Sequence, residues 1–306
     1  MSMKRADFKT LLNDLKISLR FAARNVISFI LGMIGVLVVS GLLLGVIMLV
    51  TFPVLIFGVG LQRIAEFFTA LGVGLEAMEG TAILGVLMMI VAPILAPFLV
   101  AIGALFGMGR EIVESAGTSA SGVFEWYKRK FFSLAGAGVL QFIIIILPVA
   151  LLVMTPIPTP LATPNTAVLS ISSALGTLYF LVVGGMLSMT FPAVIDGHGP
   201  FDAIRVSVSM SIDYFDRVFS VWLSHIGLPV VLLLPIGGAS FTAIWMSISP
   251  VSILAGIYGI AAFILVVFLI IPAIVIGISR VYLILSGEER ESREDEHPNI
   301  NLVGDV

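Results

Sequence analysis

Four long stretches without Asp, Glu, Lys or Arg constrain the fold of this 306-residue chain more than any other feature. A helix that crosses a bilayer needs about 20 consecutive apolar residues. Two of the stretches, of 38 and 30 residues, can hold one such helix each, and the other two, of 65 and 62 residues, can hold two each. The stretches cover residues 25–62, 80–109, 131–195 and 218–279.

Prolines and glycines divide each of the two longest stretches into a pair of helices. The third stretch is cut by four prolines within residues 155–164, which the interior of a helix does not accommodate. In the fourth stretch, the break opens at Pro235 and closes at Pro250. The sequence therefore predicts an all-α polytopic membrane bundle of six transmembrane helices. The predicted spans are residues 27–52, 82–107, 132–154, 168–193, 218–236 and 252–279.

The composition agrees with a membrane protein and excludes several other classes. Apolar residues make up 59% of the chain and charged residues 11%, whereas a soluble domain carries about 25% charged residues. The chain has no cysteine, which excludes disulfides, iron–sulfur clusters and thiolate metal sites. With three histidines and a net charge of −3, we predict no metal site, no cofactor and no nucleic-acid partner.

The basic residues predict the orientation of the chain, because cytoplasmic loops collect Lys and Arg. With the N-terminus inside, 15 of the 16 basic residues lie on the cytoplasmic side of a six-span topology, and only Arg63 lies outside. We therefore expect a multi-pass protein of the cell membrane with cytoplasmic N- and C-termini. The predicted regions are a cytoplasmic amphipathic helix (1–25), the six-span membrane domain (26–285) and a disordered, charged cytoplasmic tail (286–306).

The cytoplasmic segments have the spacing of helices that lie in the plane of the membrane. Apolar residues recur along one face of residues 8–22, between basic residues. The same pattern returns after Pro200, and residues 110–131 form a less regular third copy. Such helices bind membrane lipids through their apolar face and through basic residues near anionic headgroups.

Similar borders of the spans suggest a repeat of three hairpins. Lys130-Phe-Phe-Ser133 and Arg217-Val-Phe-Ser220 open the third and fifth spans alike, and Pro192 to Gly197 matches Pro272 to Gly277 in spacing. Alternatively, every inner membrane border collects aromatic and basic residues together with Gly or Pro.

Few polar residues could carry chemistry. Gln141 and His225 are the polar candidates within the spans, either as a ligand contact or gate, or as hydrogen-bonding links between helices. The most polar cluster could bind a ligand or form a gate at the inner face, or simply form a tight turn before a helix. Its residues are Asp196, His198, Asp202 and Arg205.

Sequence patterns of enzymes are missing. The chain contains no H-E-x-x-H, no G-x-S-x-G and no phosphate-binding Gly-Lys loop. No charged pair lies within a predicted span, and the only histidine-adjacent serine is Ser224, which points away from His225 on a helix. We therefore predict no catalytic residues and a protein that is not an enzyme.

Residues 191–208, Phe-Pro-Ala-Val-Ile-Asp-Gly-His-Gly-Pro-Phe-Asp-Ala-Ile-Arg-Val-Ser-Val, resemble part of an archaeal group of uncharacterised six-helix integral membrane proteins. In that group an even span ends, the chain turns at Gly-Pro, and a helix starts with Ala-x-Arg-x-Ser, which Ala203, Arg205 and Ser207 match. The group is similar to the membrane domain of some glycerophosphoryl diester phosphodiesterases. The resemblance implies the topology and no reaction, and Val206 stands where members often carry a second basic residue.

These observations lead to two functional hypotheses. The first is a non-enzymatic accessory, scaffold or membrane-organising component, with membrane lipids and a protein partner in the membrane or at the cytoplasmic face. The alternative is a transporter or flippase for a lipid-like or apolar solute, in which proline kinks act as hinges. Arg205 would then lie with Asp196 and His198 near the inner gate.

Overall fold

The structure is a computed structural model in which every regular element of the described residues is a helix. It describes residues 8–63, 65–66, 69, 80–115, 117–154, 166–237 and 250–287. The α-helices are α1 (Phe8–Arg24), α2 (Val26–Val59), α3 (Gly80–Ser115), α4 (Gly122–Arg129), α5 (Phe131–Met154), α6 (Thr166–Met186), α7 (Thr190–Asp196), α8 (Pro200–Asp213), α9 (Phe215–Gly237), α10 (Pro250–Leu265) and α11 (Ile271–Ser286). A π-helical turn, Val266–Ile270, joins α10 to α11.

Among the described residues, six helical segments are long and apolar enough to cross a membrane, in agreement with the predicted helical bundle of six spans. The most apolar segment of each has a mean hydropathy of 1.5 to 3.1. Each span packs against the next along the chain, and the most extensive contact joins α3 to α5. The chain is therefore a multi-pass membrane protein. The candidate spans are Val26–Val59, Ile94–Ser115, Phe131–Ala150, Ser173–Asp196, Phe215–Pro235 and Ile253–Ser286.

Three spans end well past their predicted limits. The first, expected to end at residue 52, continues in α2 to Val59, and two others continue past an arginine. The second, expected to end at residue 107, continues in α3 to Ser115, and the sixth, expected to end at residue 279, continues to Ser286. The extensions carry Arg110 and Arg280 into the packed bundle. Both arginines form ion pairs there, so a charged residue does not mark the end of a helix in this fold.

The fourth span is broken, where a continuous helix over 168–193 was predicted. Its helix α6 ends at Met186, and α7 begins at Thr190 after a turn. Pro192 has no N–H to offer the carbonyl of Ser188, four residues earlier, so the helical hydrogen-bond ladder is interrupted at this point. The span itself agrees with the prediction, but the break within it was not predicted, because the effect of Pro192 lies one turn before the proline itself.

The core lies toward one end of the bundle. In the second and fourth spans, 61% of the residues of the most apolar segment are buried, against 11% in the first span. We call the end of the bundle that holds the core the charged end, because it carries Asp14, Arg110, Arg217 and Arg280. Its most enclosed helix is α11, which is buried from Pro272 to Leu285 except at the half-buried Ile274. The bundle is therefore held together mainly at this end.

Three shorter helices surround the charged end. Helix α1 packs against α9 and α11, α4 lies against α2 and α3, and α8 lies against α5 and α7. Glycine permits the closest of these approaches: a Cβ atom added to Gly35 or Gly107 would collide with the rings of Phe124 and Trp126, respectively. The predicted charged tail lies outside the described residues, apart from Ser286 and Gly287.

Candidate functional site at the charged end

Asp14 on α1 is held between two arginines. Arg217 of α9 donates from Nη2 to Oδ1 of Asp14 at 3.0 Å and lies 2.8 Å from Oδ2, while Arg280 of α11 donates from Nη1 to Oδ1 at 2.8 Å. The side chains of Asp14 and Arg217 are only 4% and 3% exposed. Three charges from three helices are thus withdrawn from solvent together.

Burial and the two arginines act on the charge of Asp14 in opposite directions. Burial raises the pKa of the Asp14 carboxyl above its ordinary value, and the guanidinium groups of Arg217 and Arg280 oppose that rise. Removing one partner of a buried ion pair costs about 3–5 kcal/mol, because the other charge stays buried without compensation. The position of α1 against α9 and α11 therefore depends on the whole cluster.

His225 lies one helical turn of α1 away from this cluster and is fully buried. Its Nδ1 lies 2.8 Å from the carbonyl oxygen of Val221, and its Nε2 lies 3.0 Å from Oγ of Ser18. Because a carbonyl only accepts, Nδ1 carries a proton. The Ser18 hydroxyl lies within hydrogen-bond distance of Nε2 and also of the carbonyl oxygen of Leu15, to which it donates at 3.0 Å. His225 thus links α9 to α1.

Glycine makes room for this ring. A Cβ atom on Gly277 of α11 would lie 2.5 Å from Nε2 of His225. The ring therefore fills a space between α1, α9 and α11 that any larger residue at position 277 would close. The sequence showed no serine near His225 other than Ser224, because Ser18 is 207 positions away.

The contact between Ser18 and His225 has the distance of a nucleophile and its base, but not the surroundings. Both side chains are fully buried, so no carbonyl substrate reaches Ser18 in this arrangement. The other ring nitrogen faces a backbone carbonyl rather than a carboxylate. The geometry therefore favours a contact that joins α1 to α9 over a catalytic pair.

A second ion cluster joins α3, α7 and α11. Arg110 donates from Nη1 to Oδ1 of Asp196 at 2.7 Å and from Nε to Glu114 at 2.8 Å. The hydroxyl of Tyr282 donates to Oδ2 of Asp196 at 2.9 Å. Asp196 is thus engaged through both oxygens, and α11 contributes Arg280 to one cluster and Tyr282 to the other.

The four predicted inner-face residues do not converge on one point. Asp196 is bound to Arg110 and Tyr282, and the half-buried His198 interacts with it electrostatically from the following turn. Asp202 and Arg205, by contrast, are exposed on α8. Between α7 and α8 the chain turns at Gly197, whose φ of 118° suits glycine, and Pro200 begins α8. Among the described residues, no group of three or more His, Cys, Asp or Glu is placed to hold a metal ion.

Gln141, the other predicted polar residue of the spans, reaches the break in span four. Its Nε2 donates to the carbonyl oxygen of Leu187 at 3.3 Å, which connects α5 to the turn between α6 and α7. Two serines of α8 reach the same break. Ser207 and Ser211 both donate to the carbonyl oxygen of Met186, at 2.7 and 3.1 Å.

The sequence analysis missed most of these residues, although the sequence does contain one pattern that marks two of the arginines. Gly107-Met-Gly-Arg110 and Gly277-Ile-Ser-Arg280 place a glycine three residues before two of the arginines of the ion clusters. In both copies the glycine admits a ring, from Trp126 or from His225. No sequence pattern indicated that Asp14 and Ser18 are buried, because they lie among the polar residues of an amphipathic helix.

Comparison with protein-family models, with curated proteins and with solved structures finds no match to this chain. The resemblance to the archaeal six-helix group, and through it to the phosphodiesterase membrane domain, stays a prediction.

Proposed function

We propose that this chain is a non-enzymatic membrane protein that organises lipids, or partners within them, through α1 and α8 lying in the cytoplasmic leaflet. The observation that carries this proposal is that α8 buries small residues and exposes large apolar ones. Its small residues Ala203, Ser207 and Ser211 face the protein, while Phe201 and Ile212 are 74% and 66% exposed. A helix that turns its large apolar residues outward needs an apolar surrounding.

The faces of α8 follow one another around the helix in an order suited to the membrane interface. At about 100° per residue, the apolar face lies between the buried small residues and a charged face with Asp202 and Arg205. Phe215, at the start of α9, continues the apolar face and is 60% exposed. The helix can thus rest against the bundle, face acyl chains and present charges to the headgroups.

Helix α1 repeats this order. Asp14, Ser18 and Ala22 face the bundle, while Phe8 and Leu12 are exposed beside them. Further around the helix come the exposed cations Lys9, Lys16 and Arg20. Basic side chains beside an exposed apolar strip favour anionic headgroups, at about 1 kcal/mol for each cation near the surface.

Both helices are fixed to the bundle by buried polar contacts. The ion cluster of Asp14 and the contact of Ser18 with His225 hold α1, and the bonds of Ser207 and Ser211 hold α8. The exposed apolar faces are therefore held in place, which suits a protein that shapes its lipid surroundings.

Hydrogen exchange in nanodiscs tests the proposal. Replacing Phe201 and Phe215 by Ser should speed amide exchange across α8 at least tenfold in discs that contain anionic lipid, because the helix loses its lipid contact. The matched control replaces the same two residues by Leu, which keeps the face apolar. Equal exchange in the Ser and Leu variants would contradict the proposal.

A transporter remains the second candidate, because span four is broken and broken helices are common where transporters bind their substrates. The described residues contain a pocket beside Arg110, with a cavity volume of about 10 Å³, close to what one water molecule needs. Ligand pockets usually reach about 300–1,000 Å³. Uptake of a lipid-like tracer into proteoliposomes, lost when Arg110 is replaced by Gln, would favour this candidate over the first.

A further inference from the structure

The break in span four is enclosed by protein. Leu187, Ser188, Met189 and Thr190 are all buried, with exposures of 6% or less. Irregular backbone within a spanning segment is tolerated only where protein or water satisfies its polar groups. The hydrogen bonds around the break are therefore informative.

Most polar groups at the break have partners. Ser188 Oγ donates to the carbonyl oxygen of Gly185 at 2.8 Å, and the backbone N–H of Met189 donates to Oγ of Ser207 at 3.1 Å. The carbonyl oxygen of Met186 receives the hydroxyls of Ser207 and Ser211. Helix α8 thus caps the end of α6.

Two buried oxygens at the break have no hydrogen-bond partner among the described residues, Oγ1 of Thr190 and Oε1 of Gln141. Both residues are anchored on the carbonyl of Leu187, which receives Nε2 of Gln141 at 3.3 Å and the backbone N–H of Thr190 at 3.1 Å. The carbonyl of Ser188 adds a third oxygen, because Pro192 has no N–H for it. Buried polar atoms left in this way are costly.

We propose that the break binds a monovalent cation such as Na⁺, through Oγ1 of Thr190, Oε1 of Gln141 and the backbone carbonyl of Ser188. All these ligands are oxygens, the ligand type of hard cations. The carboxyl end of α6, a helix of 21 residues, brings the negative end of its helix dipole to the break. The positive end that faces it belongs to α7, which has only seven residues.

The charge of the site selects a monovalent ion. Its oxygens are all neutral, and Asp196, at the far end of α7, is already paired with Arg110. Divalent cations are usually bound by carboxylates. Unwound backbone and the carboxyl ends of broken helices are a recurring setting for Na⁺ in membranes. The site would join α5, α6 and α7 at the point where the helical ladder is interrupted.

Thermal unfolding of the full chain in nanodiscs tests this site. At constant ionic strength, replacing choline by Na⁺ should raise the unfolding temperature saturably, by roughly 5 °C once Na⁺ is far above its Kd. Thr190→Val and Gln141→Leu should abolish the shift, and Thr190→Ser, which keeps the hydroxyl, should retain it. Thr177→Val is the control, because Thr177 is exposed and bonds within α6.

The wild-type curve is decisive even if a variant fails to fold, because it needs no substitution. An unfolding temperature that is the same in choline, Na⁺ and K⁺ would overturn the proposal and assign the space to an ordered water molecule. A Na⁺ shift that persists in folded Thr190→Val would overturn this location. The outcome is independent of lipid contact by α8, which the exchange experiment on Phe201 and Phe215 tests separately.

Discussion

Gly109 of α3 and Ser279 of α11 occupy the same position in the two Gly-x-small-Arg segments, and they lie against each other where these helices pack. A Cβ atom added to Gly109 would meet Oγ of Ser279 at 3.0 Å. Each segment then sends its arginine to a different acid, Arg110 to Asp196 and Arg280 to Asp14. The second and sixth spans thus build the charged end in the same way.

Gly277→Ala should displace the ring of His225, because the added methyl would lie 2.5 Å from Nε2. We expect a loss of about 1–3 kcal/mol in the free energy of unfolding, as for other overpacked cores, together with faster amide exchange in α1. Gly256→Ala is the control, since a Cβ there meets no atom within 4 Å. Similar exchange of α1 in both variants would argue against a link through His225.

Asp14→Asn should loosen α1, because it removes the buried carboxylate that pairs with both Arg217 and Arg280. The expected loss of stability is about 3–5 kcal/mol. A double-mutant cycle with Arg280→Gln should show strong coupling, since the two side chains are in direct contact. The comparison is Asp213→Asn, an exposed carboxylate on α8, and additive losses in the cycle would contradict the proposed coupling.

Ser207→Ala should destabilise the break, whereas Ser209→Ala, two residues along the same helix, should not. Ser207 is fully buried and bonds both the carbonyl of Met186 and the N–H of Met189, while Ser209 is exposed. Without Ser207 the N–H of Met189 loses its partner, whereas the carbonyl of Met186 keeps Ser211. Leaving one buried backbone group unsatisfied costs about 1–3 kcal/mol. Chemical denaturation of the two variants measures the difference, and equal midpoints would refute this role of Ser207.

The topology can be tested with single cysteines, because the native chain has none. With cytoplasmic termini, a cysteine at Ser119 should be protected from an impermeant thiol reagent added to intact cells, and one at Leu61 should react. Lysis should expose Ser119→Cys to the reagent. Labelling of Ser119→Cys in intact cells would reverse the predicted orientation.

Much of the fold followed from elementary constraints on the sequence. Charged side chains are excluded from the apolar layer, so the uncharged stretches located six spans, and the prolines within 155–164 separated two of them. The amphipathic spacing of residues 8–22 and 201–219 likewise located α1 and α8. The ends of the spans were less predictable, because Arg110 and Arg280 extend their helices into protein rather than into water.

The sequence alone determined how many helices cross the membrane, because spanning depends on the apolar content of each segment by itself. Only the tertiary structure decided which polar groups meet. Asp14 finds Arg280 across 266 positions, Ser18 finds His225 across 207, and the serines of α8 cap the break after Met186. Such pairings depend on how helices pack in three dimensions, and close packing is governed by small residues such as Gly277 that carry no chemical indication of what they admit.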